Sequence, residues 1–394
     1  MKWFYRCHSC GATYDIVPGR YLCDICRKRQ KYERPLEGVL EAEWEGDADA
    51  DTIPLPVEKE WFPPIPVGNT PLWSPVRLRT QFNAPRLWIK DDTCNPSGSF
   101  KDRASFLVAS FARKHGVEEI VLASTGNAAS SMAAVGAAAG LRIKVFLPAK
   151  APVAKRIQIL QYGAELIPVD GTYDKAYELS LEYSNKTGSL SRNTAYNPLT
   201  IEGKKSVSFE IVEDLIKAGS GAPDHVFVPV GDGVILAGVY RGFEDLLKMG
   251  RIRNMPTIWA CQAEGSSAIT RAFASPHSAD DAFGDPRPSN TLADSISVDV
   301  PRNGLHALAK LKKYGGKAVI VSDTEILTAQ KTLSSGSGLF AEPSSSAAFA
   351  GWLKVRERIP AAQTCILLIT GSGLKDVKAA ALGLGLEQLP GEIR

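Results

Sequence analysis

No run of about 18 apolar residues occurs anywhere in this sequence, which excludes a membrane-spanning helix. Histidine is scarce, five in all, and His115, His225, His277 and His306 stand far apart, so no histidine-based catalytic cluster is legible. The usual nucleotide and hydrolase signatures are missing as well. A Rossmann GxGxxG beginning at Gly231 fails because Leu236 stands where its last glycine belongs, and no stretch supplies a Walker loop. There is neither a GxSxG nucleophile elbow nor an HExxH zinc-hydrolase helix. Charge of one sign is not in large excess. A net charge of +3 is too mild to imply a nucleic-acid or anionic-membrane partner for the whole chain. The stretch Met1–Cys10 has no apolar core or small-residue cleavage site, so a cytoplasmic protein is expected.

What is present is ample core-building material. With 394 residues, 44% of them apolar, the chain exceeds one compact core and predicts two full domains plus a small module. Four of the seven cysteines crowd into the start as Cys7-His-Ser-Cys10 and Cys23-Asp-Ile-Cys26. Two CxxC turns supply four thiolates, the set that tetrahedral zinc takes, and a metal clamp explains how residues 1–34 fold at all. Disulfides are the rival reading, disfavoured where no secretion signal is seen. Cys94, Cys261 and Cys365 are expected as buried small hydrophobes. Residues 35–62 change character. Glu37, Glu41, Glu43, Glu45, Asp47, Asp49 and Asp51 are followed by Pro54 and Pro56, which predicts an extended tether with a solvated acidic face.

From Arg86 onward, strand, polar turn and helix alternate. Strands are predicted at 86–90, 119–123, 142–147 and 165–169, with helices at 100–114, 128–139, 153–162 and 173–184. After a helix at 201–217 come strands at 225–230, 257–262, 317–321 and 364–369, with a helix at 345–356. Such alternation builds parallel sheets covered by helices, and two series predict two α/β domains.

Three glycine-bearing turns follow directly on apolar strands: Ser124-Thr125-Gly126-Asn127, Gly231-Asp232-Gly233 and Thr370-Gly371-Ser372-Gly373. In open parallel sheets ligands bind beyond the carboxyl ends of strands, where helix-start amides face an anion. Asn95-Pro96-Ser97-Gly98-Ser99-Phe100-Lys101-Asp102-Arg103 leads into a helix, with Ser99 as the expected N-cap and Lys101 in the first turn. The positive end of the helix dipole and nearby Arg103 disfavour a further ammonium charge there. A lysine used for Schiff-base chemistry must be neutral part of the time, so the placement suits that task.

The segment NPSGSFKDR at 95–103 closely resembles the cofactor-lysine motif of the threonine synthase family. Gly68-Asn69-Thr70-Pro71-Leu72, Ser124–Asn127, Ile201-Glu202-Gly203-Lys204-Lys205, Ala341-Glu342-Pro343 and Thr370–Asp376 resemble the family's other motifs in the same order. The resemblance implies two doubly wound domains of the fold type II pyridoxal-phosphate enzymes. It places the large cofactor domain at 63–104 and 198–394 and the small domain at 105–197, in a homodimer, and some members carry an N-terminal zinc ribbon. It implies that Lys101 carries pyridoxal 5'-phosphate and moves the substrate's Cα proton. Asn127 would meet the phenolic oxygen, Gly231, Asp232, Gly233, Val234 and Ile235 the phosphate, and Thr370 the pyridine nitrogen. Ser124 and Thr125 would hold the substrate carboxylate. Zinc would sit on Cys7, Cys10, Cys23 and Cys26.

The sequence departs from the family pattern at four places. The phosphate loop carries Asp232, Ala128 replaces a threonine, Ser372 replaces a histidine, and Thr200 replaces an arginine that grips substrate phosphate. Lys204 is expected to supply a charge one turn along, for an amino-acid substrate, phosphorylated or otherwise anionic, of different reach from phosphohomoserine. Alternative reactions are cysteate-synthase-like replacement, with phosphoserine and sulfite, and serine or threonine dehydration. In a reading of another class, the ribbon's eight basic residues bind nucleic acid or a protein partner.

Overall fold

The computed structural model describes residues 1–31, 33–49, 52–149, 153–277, 279–284 and 286–386. Asp51 of the acidic run and the end of the expected large domain, 387–394, lie outside them. The chain divides into two compact units, the first made of 1–68 and 95–206, the second of 69–94 and 207–394. Residues 63–68, 95–104 and 198–206, expected with the large domain, thus lie in the first unit.

In the first unit, strands Glu119–Ala123, Arg142–Pro148, Glu165–Val169 and Leu190–Ser191 form a parallel sheet. Helices Lys101–Lys114 and Asn127–Ala139 flank the first of these strands in sequence and pack against each other. The second helix is almost all Ala, Ser and Gly. Gly136 has no room for a Cβ, because Ile143 lies 2.3 Å from where it would stand, so helix and sheet approach closely.

The same unit holds an antiparallel sheet of Thr13–Tyr14, Lys2–Cys7 and Leu40–Glu45. Here the expected tether is corrected: residues 40–45 pair along all of Lys2–Cys7. Between its glutamates the run carries Leu40, Ala42 and Trp44 at period two, and all three are buried. Two of the acidic side chains meet basic ones of the ribbon, Glu43 with Arg6 and Glu37 with Arg29, and Glu41 is itself buried. Nor is the ribbon a separate module. Tyr5, Cys7, Tyr21, Leu40 and Ala42 share one apolar cluster with Leu107, Val108, Leu122 and Val135 of the α/β body.

The second unit is built on a sheet ordered Lys317–Val321, Thr257–Ala263, His225–Pro229, Cys365–Ile369, Leu87–Asp91 and Leu72–Trp73, parallel except for the last strand. Strands His225–Pro229 and Cys365–Ile369 at its centre are almost wholly buried apolar runs, while Leu87–Asp91 ends in Lys90 and Asp91. Burial raises the thiols of Cys261 and Cys365, the latter to about 12, in line with the reading of small core hydrophobes. Cys94 departs from it and is exposed, because it lies in a short turn beyond the strand end. Lys90 is fully buried and held by Glu210 at 2.8 Å and the Thr70 carbonyl at 2.6 Å. Thr70 Oγ1 in turn donates to Asp92 at 2.7 Å, so the Gly68–Leu72 motif has a bracing role. No described helix is long and apolar enough to cross a membrane.

Candidate active site

Lys101 is half-buried and opens its helix. Phe100, not Ser99, occupies the N-cap position, while the Ser99 hydroxyl accepts the Lys101 amide at 3.4 Å. Asp102 turns back and accepts both the amide and the hydroxyl of Ser97, at 2.7 and 2.5 Å. Gly98, at φ 77°, makes the turn between them in a conformation that only glycine adopts readily. The turn before the lysine is therefore tied to the residue after it.

Asn127 opens the neighbouring helix and is buried. One turn further along each helix, Ser131 Oγ donates to Ser105 Oγ at 2.7 Å. Residues four apart share a helix face, so this bond joins the helix faces that carry Lys101 and Asn127. Beneath it lies the fully buried Arg192, whose Nε donates to Ser105 Oγ at 3.2 Å and Nη1 to Thr194 at 2.8 Å. Sequence reading missed these three residues. The i+4 spacing of Ser105 and Ser131 from the two site residues was the available signal. Ser124 and Thr125 are half-buried at the end of strand Glu119–Ala123, and Ser124 Oγ accepts the Gly126 amide at 3.1 Å.

The predicted helix 201–217 is broken into Leu199–Glu202, a tighter turn at Gly203–Lys205, and Ser206–Lys217. The break coincides with a close approach to the lysine helix: a Cβ on Gly203 would stand 2.4 Å from the Arg103 carbonyl. Thr200 is buried, and its hydroxyl donates to the Asn197 carbonyl at 2.7 Å. Lys204 is fully buried as well, its ammonium donating to the Thr200 carbonyl at 2.7 Å.

In the second unit, strands His225–Pro229 and Cys365–Ile369 are parallel neighbours, so the turns that follow them lie side by side. Gly233, at φ 91°, caps helix Val234–Lys248, with Ile235 in its first turn. Cβ atoms on Gly231 and Gly233 would meet Ile296 at 2.9 Å and Ala307 at 2.7 Å, so both glycines are required by close packing. Asp232 Oδ1 accepts the Val234 amide at 3.0 Å and thus occupies one of the helix-start donors. Thr370 is buried, and its hydroxyl lies 2.9 Å from that of Ser345, which also accepts the Thr370 amide at 3.1 Å. Ser345, too, was not singled out from sequence. Ser372 Oγ accepts the Leu374 amide and shapes the turn beyond.

The four ribbon cysteines converge, with all Sγ atoms within 4.8 Å of one another. Cys7–Cys26 and Cys10–Cys23 stand 3.8 and 3.6 Å apart. A tetrahedral zinc site with Zn–S near 2.3 Å sets sulfurs about 3.8 Å apart, so the geometry fits. Burial works to raise the Cys23 thiol, but hydrogen bonds from the Tyr14 hydroxyl and from the Cys26 and Ile25 amides outweigh it and bring it down to about 6.

A family described as pyridoxal-phosphate dependent enzyme matches residues 65–371. A threonine synthase from Methanocaldococcus jannaschii is 32% identical over 396 aligned residues, covering 95% of this chain and 93% of its own. One from Synechocystis is 34% identical over 320 residues, covering 81% and 80%. Among solved structures, threonine deaminase isoform 2 of Solanum lycopersicum superposes with a TM-score of 0.68 at 22% identity, covering 80% of this chain and 83% of its own. Maize serine racemase does so at 0.67 and 21%, covering 80% and 91%. At these identities the structures establish the fold alone.

Proposed function

We infer, for a chain that belongs to the pyridoxal-phosphate-dependent enzymes and within them to the threonine synthase family, that its reaction converts O-phosphohomoserine and water into threonine and phosphate. The chain is a lyase of threonine-synthase type. The observation that most supports the reading is the pinned turn before Lys101, on a helix joined through Ser105 and Ser131 to the helix that Asn127 opens.

Pyridoxal phosphate, when bound, supplies the electron sink through which an amino acid loses a leaving group. The chain's own residues do the rest. The Lys101 amine holds the cofactor and then moves a proton at the substrate's Cα. The Asn127 amide bonds the phenolic oxygen. The amides of Gly231–Ile235 hold the phosphate as a helix-start nest does. Thr370 meets the pyridine nitrogen with a hydroxyl oriented by Ser345. A hydroxyl, unlike a carboxylate, does not enforce a proton on that nitrogen, which favours expulsion of a leaving group over transamination. Ser124 and Thr125 bind the substrate carboxylate. Thr200 and Lys204 belong to the substrate's anionic end, with Lys204 acting from behind the Thr200 carbonyl, where low dielectric extends the reach of its charge. Zinc on Cys7, Cys10, Cys23 and Cys26 is a closed structural site. A cytoplasmic homodimer, implied by the resemblance, completes the reading.

Products decide the substrate. Phosphohomoserine should give threonine and phosphate, identified by mass, while phosphoserine with sulfite, or threonine itself, should give little. A shorter phosphorylated amino acid is the second reading, favoured by Thr200, whose hydroxyl is turned inward where an arginine would grip phosphate. Preference for phosphoserine would establish it.

Asp232 offers a separate check. Asp232→Asn keeps an oxygen for the Val234 amide and removes a negative charge beside the proposed phosphate nest. Cofactor affinity, read by absorbance titration of the apoprotein, should rise about tenfold, or roughly 1.4 kcal/mol. Weaker binding would place the phosphate elsewhere.

A further inference from the structure

Glu202 and Lys205 form an ion pair that is almost wholly buried, at 1% and 0% exposure. Pairs of this kind contribute little net stability unless their remaining polar atoms are well served, but they hold a defined geometry. The ribbon reaches this pair. The Lys205 ammonium lies over the Trp3 ring, 5.1 Å from its centroid. Tyr5, two residues along on the same strand face, is fully buried. Tyr21 accepts the Ser191 amide at 2.8 Å and packs on Tyr196 at 4.8 Å between centroids. The ribbon thus meets the segment 190–205 at two places. Ribbon strand Leu40–Glu45 also packs against helix Leu199–Glu202.

That segment is short and sits between two neighbours. On one side are the ribbon aromatics. On the other, Gly203 presses on the Arg103 carbonyl of the lysine helix, and Ser206 Oγ accepts from Arg103 Nη1 at 2.8 Å. Thr200 and Lys204 lie within it. We propose that Trp3 of the ribbon is a positioning residue for the substrate segment. It holds the Glu202–Lys205 pair, and through it Thr200 and Lys204, against the lysine helix. The ribbon then tunes substrate binding without touching substrate. The proposal rests on the reading of Thr200 and Lys204 as the substrate's anionic end.

The test uses the full-length, zinc- and cofactor-loaded protein. Trp3→Leu keeps apolar bulk but removes the ring face from Lys205, whereas Trp3→Phe keeps a weaker one. Hydrogen exchange of the amides of residues 199–206 should speed up about fivefold in Trp3→Leu, with residues 225–235 of the other unit unchanged. KM for phosphohomoserine should rise about fivefold with kcat within about twofold, and Trp3→Phe should return both readouts at least halfway. Unchanged exchange at 199–206 overturns the proposal. So does faster exchange spread evenly through the first unit, which would make the ribbon a general stabiliser, and so does faster exchange with an unchanged KM. If the wild-type enzyme does not turn over phosphohomoserine, the substrate reading fails, and exchange alone decides whether the ribbon holds the segment.

Discussion

Lys101→Ala should lower kcat by about a thousandfold or more, because it removes both the anchor for the cofactor and the group that moves the Cα proton. Lys101→Arg should do no better, since a guanidinium does not give up its proton. Borohydride treatment of the wild-type holoenzyme should fix the cofactor to the peptide that contains Lys101, found by mass. Labelling of another lysine, or of none, would remove the assignment. The geometry explains why no neighbouring lysine should substitute. Lys101 sits where the Ser97–Asp102 bonds and the Ser105–Ser131 bond fix the helix start on both sides, and a reacting amine misplaced by even an ångström loses much of its advantage.

Cys7→Ser should lower the melting temperature by about 10 °C or more. A ribbon hung on a tether would come away alone and leave the rest intact. This one shares its core with the body: Tyr5, Tyr21 and Leu40 are buried in the same cluster as Leu107, Val108 and Phe111, the last three on the lysine helix. Each large apolar side chain returned to water costs about 1.5–3 kcal/mol, so releasing the zinc clamp exposes several at once. Extraction of zinc with a chelator should reproduce the effect, and one zinc per chain should be found by elemental analysis. A metal-free wild-type protein with Cys7, Cys10, Cys23 and Cys26 paired as disulfides would refute the site. An unfolding transition confined to residues 1–34 would show instead that the shared core contributes little.

Much of the molecule was legible in the sequence. Parallel strands read as short apolar runs, and the polar turns after them, at Ser124, Gly231 and Thr370, were legible as strand ends. Lys101 was singled out by the resemblance of residues 95–103 to a family motif, since a turn before a helix start says little alone. The convergence of the four cysteines was legible because metal-ligand spacing is short-range.

What only the tertiary structure decided lies between segments distant in sequence. Leu40, Ala42 and Trp44 alternate with glutamates, and the charge masked a strand whose partner, Lys2–Cys7, lies more than thirty residues away. The seat of Thr370 on Ser345 and the Trp3 ring over Lys205 join residues whose neighbours in the chain give no hint of the contact. Lys204 was expected to offer its charge to substrate from a regular helix. In the fold that helix breaks at Gly203, where there is no room for a side chain against the Arg103 carbonyl, and the break turns Lys204 inward to the Thr200 carbonyl. Local backbone and side-chain preferences can be read from a few consecutive residues. Close packing between segments cannot, because it depends on where the rest of the chain has gone.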